Sequence, residues 1–351
     1  MMKKDNRKGS PTGRQAELET VAGIFGSIPF NAGITTGSLW LFMHVHDEER
    51  ARAALDAGAD VHFRNALGQT ALIRAAQSSS AAIVDLIAER RGDINARDND
   101  GWSPLMYAAQ RSDISIMEVL LKRGALPDIV NNERQTAIMM AAWANNLSAI
   151  EALAMAGANV NVQDDIGLSP ILIASGLGYT TAVEVLANHN ADLNTQDRSS
   201  VTTPLIFAAD GGHEATIVLL AKKGADPNAR GENGKTALMF ASAKGRVKAV
   251  NALLDMADQG ININAREAAG MTSAMMAASG GYTATVKVLA DRGADLATQD
   301  FTGLNAADHA AINGHAGTAK KIQALIKQQQ NFGGPSVPPT AKQYPLSQYG
   351  L

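Results

Sequence analysis

The feature that most constrains the fold of this chain is an internal repeat of about 33 residues. Eight segments align on one pattern, in which a polar residue is followed by apolar residues and a pair of small residues. They are GQTALIRAA, GWSPLMYAA, RQTAIMMAA, GLSPILIAS, TTPLIFAA, GKTALMFAS, GMTSAMMAA and GLNAADHAA. The shared polar residues, which we call anchors, are Thr70, Ser103, Thr136, Ser169, Thr203, Thr236, Thr272 and Asn305. A period of this length indicates stacked units, none of which buries its apolar face alone.

Each repeat predicts two helices and a polar turn. Ser, Thr and Asn are preferred at helix N-termini because their side chains accept a backbone N–H bond. Proline follows three anchors at the first helical position, where its missing N–H costs nothing; these are Pro104, Pro170 and Pro204. A second apolar helix follows and tends to end at a residue that tolerates the left-handed conformation. The residues predicted to end second helices in this way are Gly124, Gly157, Asn190, Gly224 and Gly293.

This pattern resembles the ankyrin repeat family, whose repeat carries T-P-L-H-x-A at a 33-residue period. The resemblance covers roughly residues 37–328. It implies an all-α repeat solenoid of helix-turn-helix units with projecting hairpin loops, with about nine units and degenerate first and last caps. The family's histidine is absent, so we expect apolar packing at that position, with Asp308 of the last unit turned toward water. The residues that replace the histidine are Ile73, Met106, Met139, Leu172, Ile206, Met239, Met275 and Asp308.

One segment, ARGENGKT at residues 229–236, has the outline of a phosphate-binding loop. Its last three residues nevertheless occupy the same register as the equivalent residues of the other repeats, and Ala229 replaces the first glycine of the motif. A phosphate-binding loop also follows a buried strand, whereas this segment follows the end of a repeat. We therefore predict that Lys235 does not belong to a nucleotide site.

No set of residues in the sequence forms a catalytic or metal-binding pattern. The chain has no cysteine. His44 and His46 are two residues apart, a spacing that points them to different sides of a helix, and His213 and His315 stand at a Gly-His position that is ordinary in the family. We predict that the protein is not an enzyme and has no catalytic residue, no bound metal and no small-molecule cofactor.

The charge of the chain is unevenly distributed. The formal net charge is −3, residues 1–20 carry five basic and three acidic side chains, and residues 316–351 carry four lysines and no acid. An acidic body therefore lies between basic ends. Because nucleic-acid binding needs a basic surface, we expect no nucleic-acid partner.

The two ends of the chain differ from the repeats. Residues 1–20 are predicted to form a basic polar tail, and residues 21–36 an uncharged segment that is shorter than the ~20 residues of a spanning helix. Residues 21–36 have two interpretations: a cap over the apolar edge of the first unit, or a segment that contacts a partner or a membrane. Residues 329–351 are rich in Pro, Gly and Gln and are predicted to form a tail.

The resemblance implies a protein-binding scaffold that takes its partner on the concave face formed by hairpin tips and first helices. By register, we expect the residue before each anchor at a hairpin tip and the seventh residue after it on the exposed side of a first helix. Two tryptophans fall in these sets in adjacent units, and Trp and Arg dominate interface energetics. The predicted partner-binding residues are Trp102, Arg111, Trp143, Ile166, Leu168 and Phe301.

A second hypothesis is an accessory subunit of a membrane or envelope-associated complex, held by residues 21–36 and the C-terminal tail. The first hypothesis places the protein in the cytoplasm, and the second places it at a membrane or in the periplasm. No motif in the sequence names the protein partner under either hypothesis.

Overall fold

A computed structural model of the chain describes residues 36–44, 46–78 and 80–331. The basic tail at residues 1–20, the apolar segment up to residue 35 and the C-terminal tail from residue 332 lie outside these ranges. The assignments of those segments therefore stay predictions. Within the described ranges, no helix is both long and apolar enough to cross a membrane.

The described residues form α-helices joined by turns, and no β-strand occurs among them. The first helices of the repeats are α1 (Thr36–His44), α3 (Ala71–Ser78), α5 (Pro104–Ala109), α7 (Ala137–Ala144), α9 (Pro170–Leu177), α11 (Pro204–Gly211), α13 (Ala237–Ala243), α15 (Ser273–Ser279) and α17 (Ala306–Ile312). The second helices are α2 (Glu48–Asp56), α4 (Ala81–Glu89), α6 (Ser115–Lys122), α8 (Leu147–Met155), α10 (Thr180–Asn188), α12 (Glu214–Lys222), α14 (Val247–Leu254), α16 (Thr283–Asp291) and α18 (Ala316–Asn331). The prediction of an all-α fold of helix-turn-helix units is confirmed.

The chain divides into two compact units. Unit 1 runs to Ile173 and adds Asn188–Ala191, and unit 2 comprises Ala174–Ala187 and the residues from Asp192 onward. Within unit 1 the first helices pack in series, α1 on α3, α3 on α5 and α5 on α7, and so do the second helices α2, α4 and α6. Within unit 2 the same arrangement runs from α11 to α17 for first helices and from α12 to α18 for second helices.

Several anchors cap first helices as predicted. In four repeats the anchor hydroxyl accepts the N–H of the residue three positions on at 3.4 Å; these anchors are Thr70, Ser103, Thr203 and Thr272. The buried hydroxyl of Thr136 makes no such bond among the described residues. The left-handed ends of second helices are also confirmed, with φ between 64° and 92° at Gly124, Gly157, Asn190, Gly224 and Gly293.

The position of the family's histidine is filled by apolar side chains, each at most 1% exposed, in seven repeats. These residues are Ile73, Met106, Met139, Leu172, Ile206, Met239 and Met275. The expectation of apolar packing at this position is therefore confirmed. Asp308, the exception, is half-buried, and its carboxylate accepts the N–H of Asn305 at 3.0 Å. It closes the first turn of α17 as one half of a capping box.

The hairpins have a different register from the one predicted. The residue before the anchor lies under the turn, where its N–H donates to a side-chain oxygen four residues earlier, as Trp102 does to Asp98 and Leu168 to Asp164, both at 2.8 Å. Because this side-chain bond closes the turn early, the exposed tip lies three to four residues before the anchor. The prediction that the tip is the residue before the anchor is therefore wrong. The exposed tips include Leu67, Asp100, Glu133, Ile166 and Phe301.

Backbone bonds connect the tips of neighbouring hairpins. In unit 1 the N–H of Asn99 donates to Leu67 O at 3.0 Å, that of Asn132 to Asp100 O at 3.0 Å, and that of Asp165 to Glu133 O at 3.3 Å. In unit 2 equivalent bonds join Ala268 to Asn233 and Phe301 to Ala269. The tips of unit 1 therefore form a continuous row whose spacing is set by the backbone.

The buried carboxylate of Asp300 in unit 2 provides a test of the hairpin geometry. Its Oδ1 accepts the N–H groups of Thr302 and Leu304 and the Thr302 hydroxyl, and its Oδ2 lies 2.8 Å from His309 Nε2. These bonds, above all that from the Thr302 hydroxyl, hold the pKa of Asp300 well below its usual range. The carboxylate thus stabilises the fold in its charged form.

We expect Asp300→Asn to lower the free energy of unfolding at pH 7 by about 1–3 kcal/mol, because buried donors lose a charged acceptor. Since the pKa of Asp300 is lower in the folded chain than its unfolded value of about 3.9, the stabilisation is complete above about pH 4 and is lost as the pH falls further. Urea unfolding between pH 7 and pH 3 measures this. Asp291→Asn, which removes an exposed ion pair with Lys287, is the control and should cost less than about 1 kcal/mol. Equal effects of the two variants would contradict the assignment.

Candidate functional site

Two tryptophans in adjacent repeats of unit 1, Trp102 on a hairpin and Trp143 on a first helix, are of a residue type that is typical of protein interfaces. We define the hairpin/first-helix face of unit 1 as Trp102, the tips at residues 99–100, 132–134 and 165–166, and the solvent-accessible side chains of α5 and α7. The tip row is held by the backbone bonds described above, and α5 begins at Pro104 directly after its anchor Ser103. The side chains of this face therefore stand on regular, well-packed elements.

Trp102 is part of a three-residue cluster within its own repeat. Its half-buried ring lies 4.9 Å from that of Tyr107, centroid to centroid, at an interplanar angle of 35°. The Tyr107 hydroxyl donates to Asp98 Oδ2 at 2.7 Å, while Asp98 Oδ1 accepts the N–H groups of Asp100 and Trp102. Burial and the bond to the Asp98 carboxylate raise the pKa of Tyr107 well above its usual range. Tyr107 thus stays a neutral donor and fixes the platform on which Trp102 lies.

Trp143 lies near the C-terminal end of α7, which closes at Asn145 with a φ of 53°. The Trp143 side chain is half-buried, and among the described residues no ring or cation contact is recorded for it. One turn earlier, Met140 Sδ accepts a bond from Gln110, the residue that follows α5, at 3.3 Å. The Trp143 ring therefore has less of a role in internal ring packing than the Trp102 ring.

The other predicted site residues lie in different environments. Ile166 is a hairpin tip and is 54% exposed, in agreement with its expected place on the surface. Leu168 is only 7% exposed, so the expectation that its side chain extends the exposed strip is wrong. The reason is the turn closed by Asp164, which draws Leu168 inward.

Arg111 and Phe301 each have an internal contact. Arg111 is half-buried, and its guanidinium donates to Gln77 O at 2.7 Å, which ties α5 to the preceding repeat. Phe301 is 71% exposed but belongs to unit 2, where the Arg266 guanidinium lies 5.0 Å from its ring centroid. Four of the predicted residues thus belong to unit 1 and one, Phe301, belongs to unit 2; those of unit 1 are Trp102, Arg111, Trp143 and Ile166.

The exposed carboxylates of this face are not among the residues predicted from the sequence. The structure separates two groups of hairpin acids. Asp98 and Asp164 point into their turns, and the tip carboxylates of Asp100, Glu133 and Asp165 are exposed. The distance of an acidic residue from its anchor distinguishes the groups, because residues five before the anchor point inward and those three or four before it do not.

The segment that resembles a phosphate-binding loop is an ordinary hairpin of unit 2. Gly234 has a φ of 74° and ends a short 3-10 turn, and Lys235 Nζ lies 5.9 Å from the ring centroid of Phe240. Among the described residues no group of three or more His, Cys, Asp or Glu could hold a metal ion. The lysine is thus engaged with its own repeat.

We expect titration of the protein with ATP and magnesium to give no saturable signal at micromolar concentrations, because the loop lacks the strand-to-helix geometry that cradles phosphates. Isothermal calorimetry measures this. A micromolar signal that Lys235→Ala abolishes would contradict the expectation.

Comparison with known families gave matches along most of the described chain. A model described as ankyrin repeats (3 copies) matches residues 41–131, 124–197 and 171–267. A model described as ankyrin repeats (many copies) matches residues 256–310. A comparison with curated proteins found no match.

Proposed function

The chain belongs to the ankyrin repeat family, and from this premise we propose that it binds a protein partner on the hairpin/first-helix face of unit 1. Ankyrin repeats are in general protein–protein interaction modules, and proteins built from them are typically scaffolds rather than enzymes. The finer assignment of a face and of residues is our own. It follows from where large, partly exposed side chains lie in the described chain.

The observation that carries this proposal is the pair of half-buried tryptophans, Trp102 and Trp143, in adjacent repeats of unit 1. Tryptophan is enriched in the few residues that dominate binding energy, because it combines a large apolar area with few rotatable bonds. Ile166, at the tip of the next hairpin, adds an exposed apolar side chain. Together they supply three large apolar side chains at the surface of three consecutive repeats.

The equivalent positions of unit 2 offer fewer large apolar side chains. The residues before its anchors are Thr202, Lys235, Met271 and Leu304, of which Thr202 is buried. The seventh residues after its anchors are Asp210, Ala243, Ser279 and Ile312. Its exposed tip aromatic, Phe301, already lies against Arg266. The comparison favours unit 1 as the main contact and leaves Phe301 and Ile312 as secondary ones.

Affinity capture with the full chain as bait tests the proposal. Wild type is compared with a variant that carries Trp143→Ala and Ile166→Ser, and with a control that carries Met155→Ala on α8, where Met155 is 76% exposed outside this face. We expect mass spectrometry to identify a protein that wild type and control capture and the face variant loses. A partner captured equally by all three proteins would refute the assignment of this face.

A further inference from the structure

The net negative charge of the described residues lies in unit 1. Among the described residues, unit 1 has 17 acidic and 11 basic side chains, whereas unit 2 has 14 of each. Most of the excess is in the hairpin segments of unit 1, residues 59–69, 93–102, 126–135 and 159–168, which together carry eight acidic and three basic side chains. This negative excess thus steers a positively charged partner toward unit 1.

Many of the hairpin acids are used by the turns themselves. Asp60, Asp93 and Asp128 accept backbone N–H bonds, as Asp98 and Asp164 do. The tip carboxylates of Asp100, Glu133 and Asp165 are the exposed group that remains, and the backbone bonds between tips place them in a row. A basic residue of the same tips, Arg134, has its Nε 3.8 Å from Asp165 Oδ1, with both side chains more than half exposed. Such a pair contributes little and is easily exchanged.

The other two hairpin arginines, Arg64 and Arg97, are exposed and bonded to the hairpins themselves. Arg64 Nη1 donates to Gly68 O and to Arg97 O, each at 2.7 Å. Arg97 Nε donates to Gly101 O at 3.1 Å. Their guanidinium groups donate to hairpin carbonyls in their own repeat and, from Arg64, in the neighbouring repeat. Among the described residues, neither guanidinium forms an ion pair with a tip carboxylate, and the only such pair in these hairpins is that of Arg134 with Asp165.

The repeats of Trp102 and Lys235 differ at one pair of positions in a way that points to a cation. In one repeat of unit 2, Lys235 precedes the anchor Thr236 and lies over the ring of Phe240, the fourth residue after that anchor. The same two positions in unit 1 hold Trp102 and Tyr107, which stack on each other. Among the described residues no cation contact is recorded for either ring or for Trp143. The repeat of Trp102 thus presents its rings without an internal cation, whereas the repeat of Lys235 supplies its own.

We propose that the hairpin/first-helix face of unit 1 binds an extended segment of the partner that is rich in lysine or arginine. This inference rests on the proposed function and names the partner's chemistry. The tip carboxylates accept charge-assisted hydrogen bonds from the basic side chains. The rings of Trp102 and Trp143 attract the same cations, whose aliphatic stems pack on the aromatic surface.

The repeat fixes the spacing of the bound side chains. Packed helices lie about 8–10 Å apart, and a chain in the extended polyproline II conformation rises about 3.1 Å per residue with three residues per turn, so every third side chain faces the same way. One basic residue in every three therefore keeps pace with one tip per repeat. Two cations of unit 1, Arg74 and Arg111, bond to Gln77 at the α3 side of the face. Because these cations repel a basic segment, we place the segment along the tip row from Asp100 to Ile166 and not over α3.

Fluorescence anisotropy with the full chain tests the inference. The probe is a labelled fifteen-residue peptide of five Lys-Ser-Ser triplets at low salt, and the matched peptide has Glu in place of Lys. We expect the lysine peptide to bind, its affinity to fall with added salt, and the glutamate peptide not to bind. The tip variant Asp100→Asn/Glu133→Gln/Asp165→Asn should weaken binding of the lysine peptide at least tenfold.

A control variant separates local recognition from net charge. Glu184→Gln/Glu232→Gln/Asp258→Asn removes three exposed acids of unit 2 and should change the affinity less than twofold. Equal weakening by both triple variants, or no binding of the lysine peptide, would overturn the inference.

If Trp143→Ala abolishes capture of a partner whose affinity the tip variant leaves unchanged, the proposed function stands and the basic chemistry is wrong. If the tip variant abolishes lysine-peptide binding while Trp143→Ala changes neither this binding nor partner capture, the tryptophan anchor is wrong and the charge assignment stands.

Discussion

Replacing Met139 by alanine is expected to lower the free energy of unfolding by about 2–5 kcal/mol, the range for buried large-to-small changes. Met139 is fully buried on α7, at the position where the family places a histidine, and α7 packs on α5. Removing its side chain leaves a cavity that α5 and α8, the helices packed on α7, cannot fill, because each is held by its own contacts. Urea unfolding of the full chain measures the loss.

Two variants control for the chemistry of methionine. Met139→Leu conserves the volume and should cost less than about 1.5 kcal/mol, and Met155→Ala, at a position that is 76% exposed, should change stability by about 0.5 kcal/mol or less. Hydrogen exchange should increase around α7 and its neighbours in unit 1, since repeats contact only adjacent repeats. An equal increase in α15 and α17 of unit 2, or equal costs for Met139→Ala and Met155→Ala, would contradict the packing described.

Replacing Trp143 by alanine is expected to weaken partner binding by ~2 kcal/mol or more, about 30-fold in affinity. The expected loss in stability is much smaller, because the side chain is half-buried and has no ring partner among the described residues. Binding to the captured partner is measured by surface plasmon resonance, and stability by urea unfolding of the same sample. The combination of a large loss in affinity with a small loss in stability distinguishes a contact residue from a core residue.

Trp102→Ala should weaken binding by a similar factor but with an added cost in stability. Its ring stacks on Tyr107, and aromatic pairs contribute about 0.5–1.5 kcal/mol beyond their buried area. Trp102→Phe keeps a stacking partner for Tyr107 and should recover most of that stability. Normal binding by both alanine variants, or unfolding of both, would place the partner site elsewhere and assign the two rings to packing.

The helices could be predicted from the sequence because their signals are local and repeated. An anchor such as Ser103, followed by proline and small residues, sets the start of a first helix, and the residue at the histidine position is apolar in seven repeats. The same pattern seen in many registers averages out the ambiguity of any single segment. These features required no knowledge of which side chains meet in space.

The hairpins and the site were harder to predict because they depend on where individual side chains point. The pattern Asp-x-x-Gly is compatible with a carboxylate that faces either water or its own turn, and at Asp164 it faces the turn and draws Leu168 inward. The platform under Trp102 needs Tyr107 and Asp98, which meet only after the hairpin folds back on α5. Arg111 bonds a carbonyl 34 residues earlier, a contact that no local pattern indicates.

Site-specific photo-crosslinking tests most directly whether unit 1 binds its partner on the hairpin/first-helix face. A benzophenone amino acid is placed at Ile166, a tip that is 54% exposed, and in a separate protein at Met155, which is 76% exposed outside the face. We expect irradiation of the complex to crosslink the partner to the protein labelled at position 166 and not to the protein labelled at position 155. A crosslink at 155 without one at 166 would contradict it.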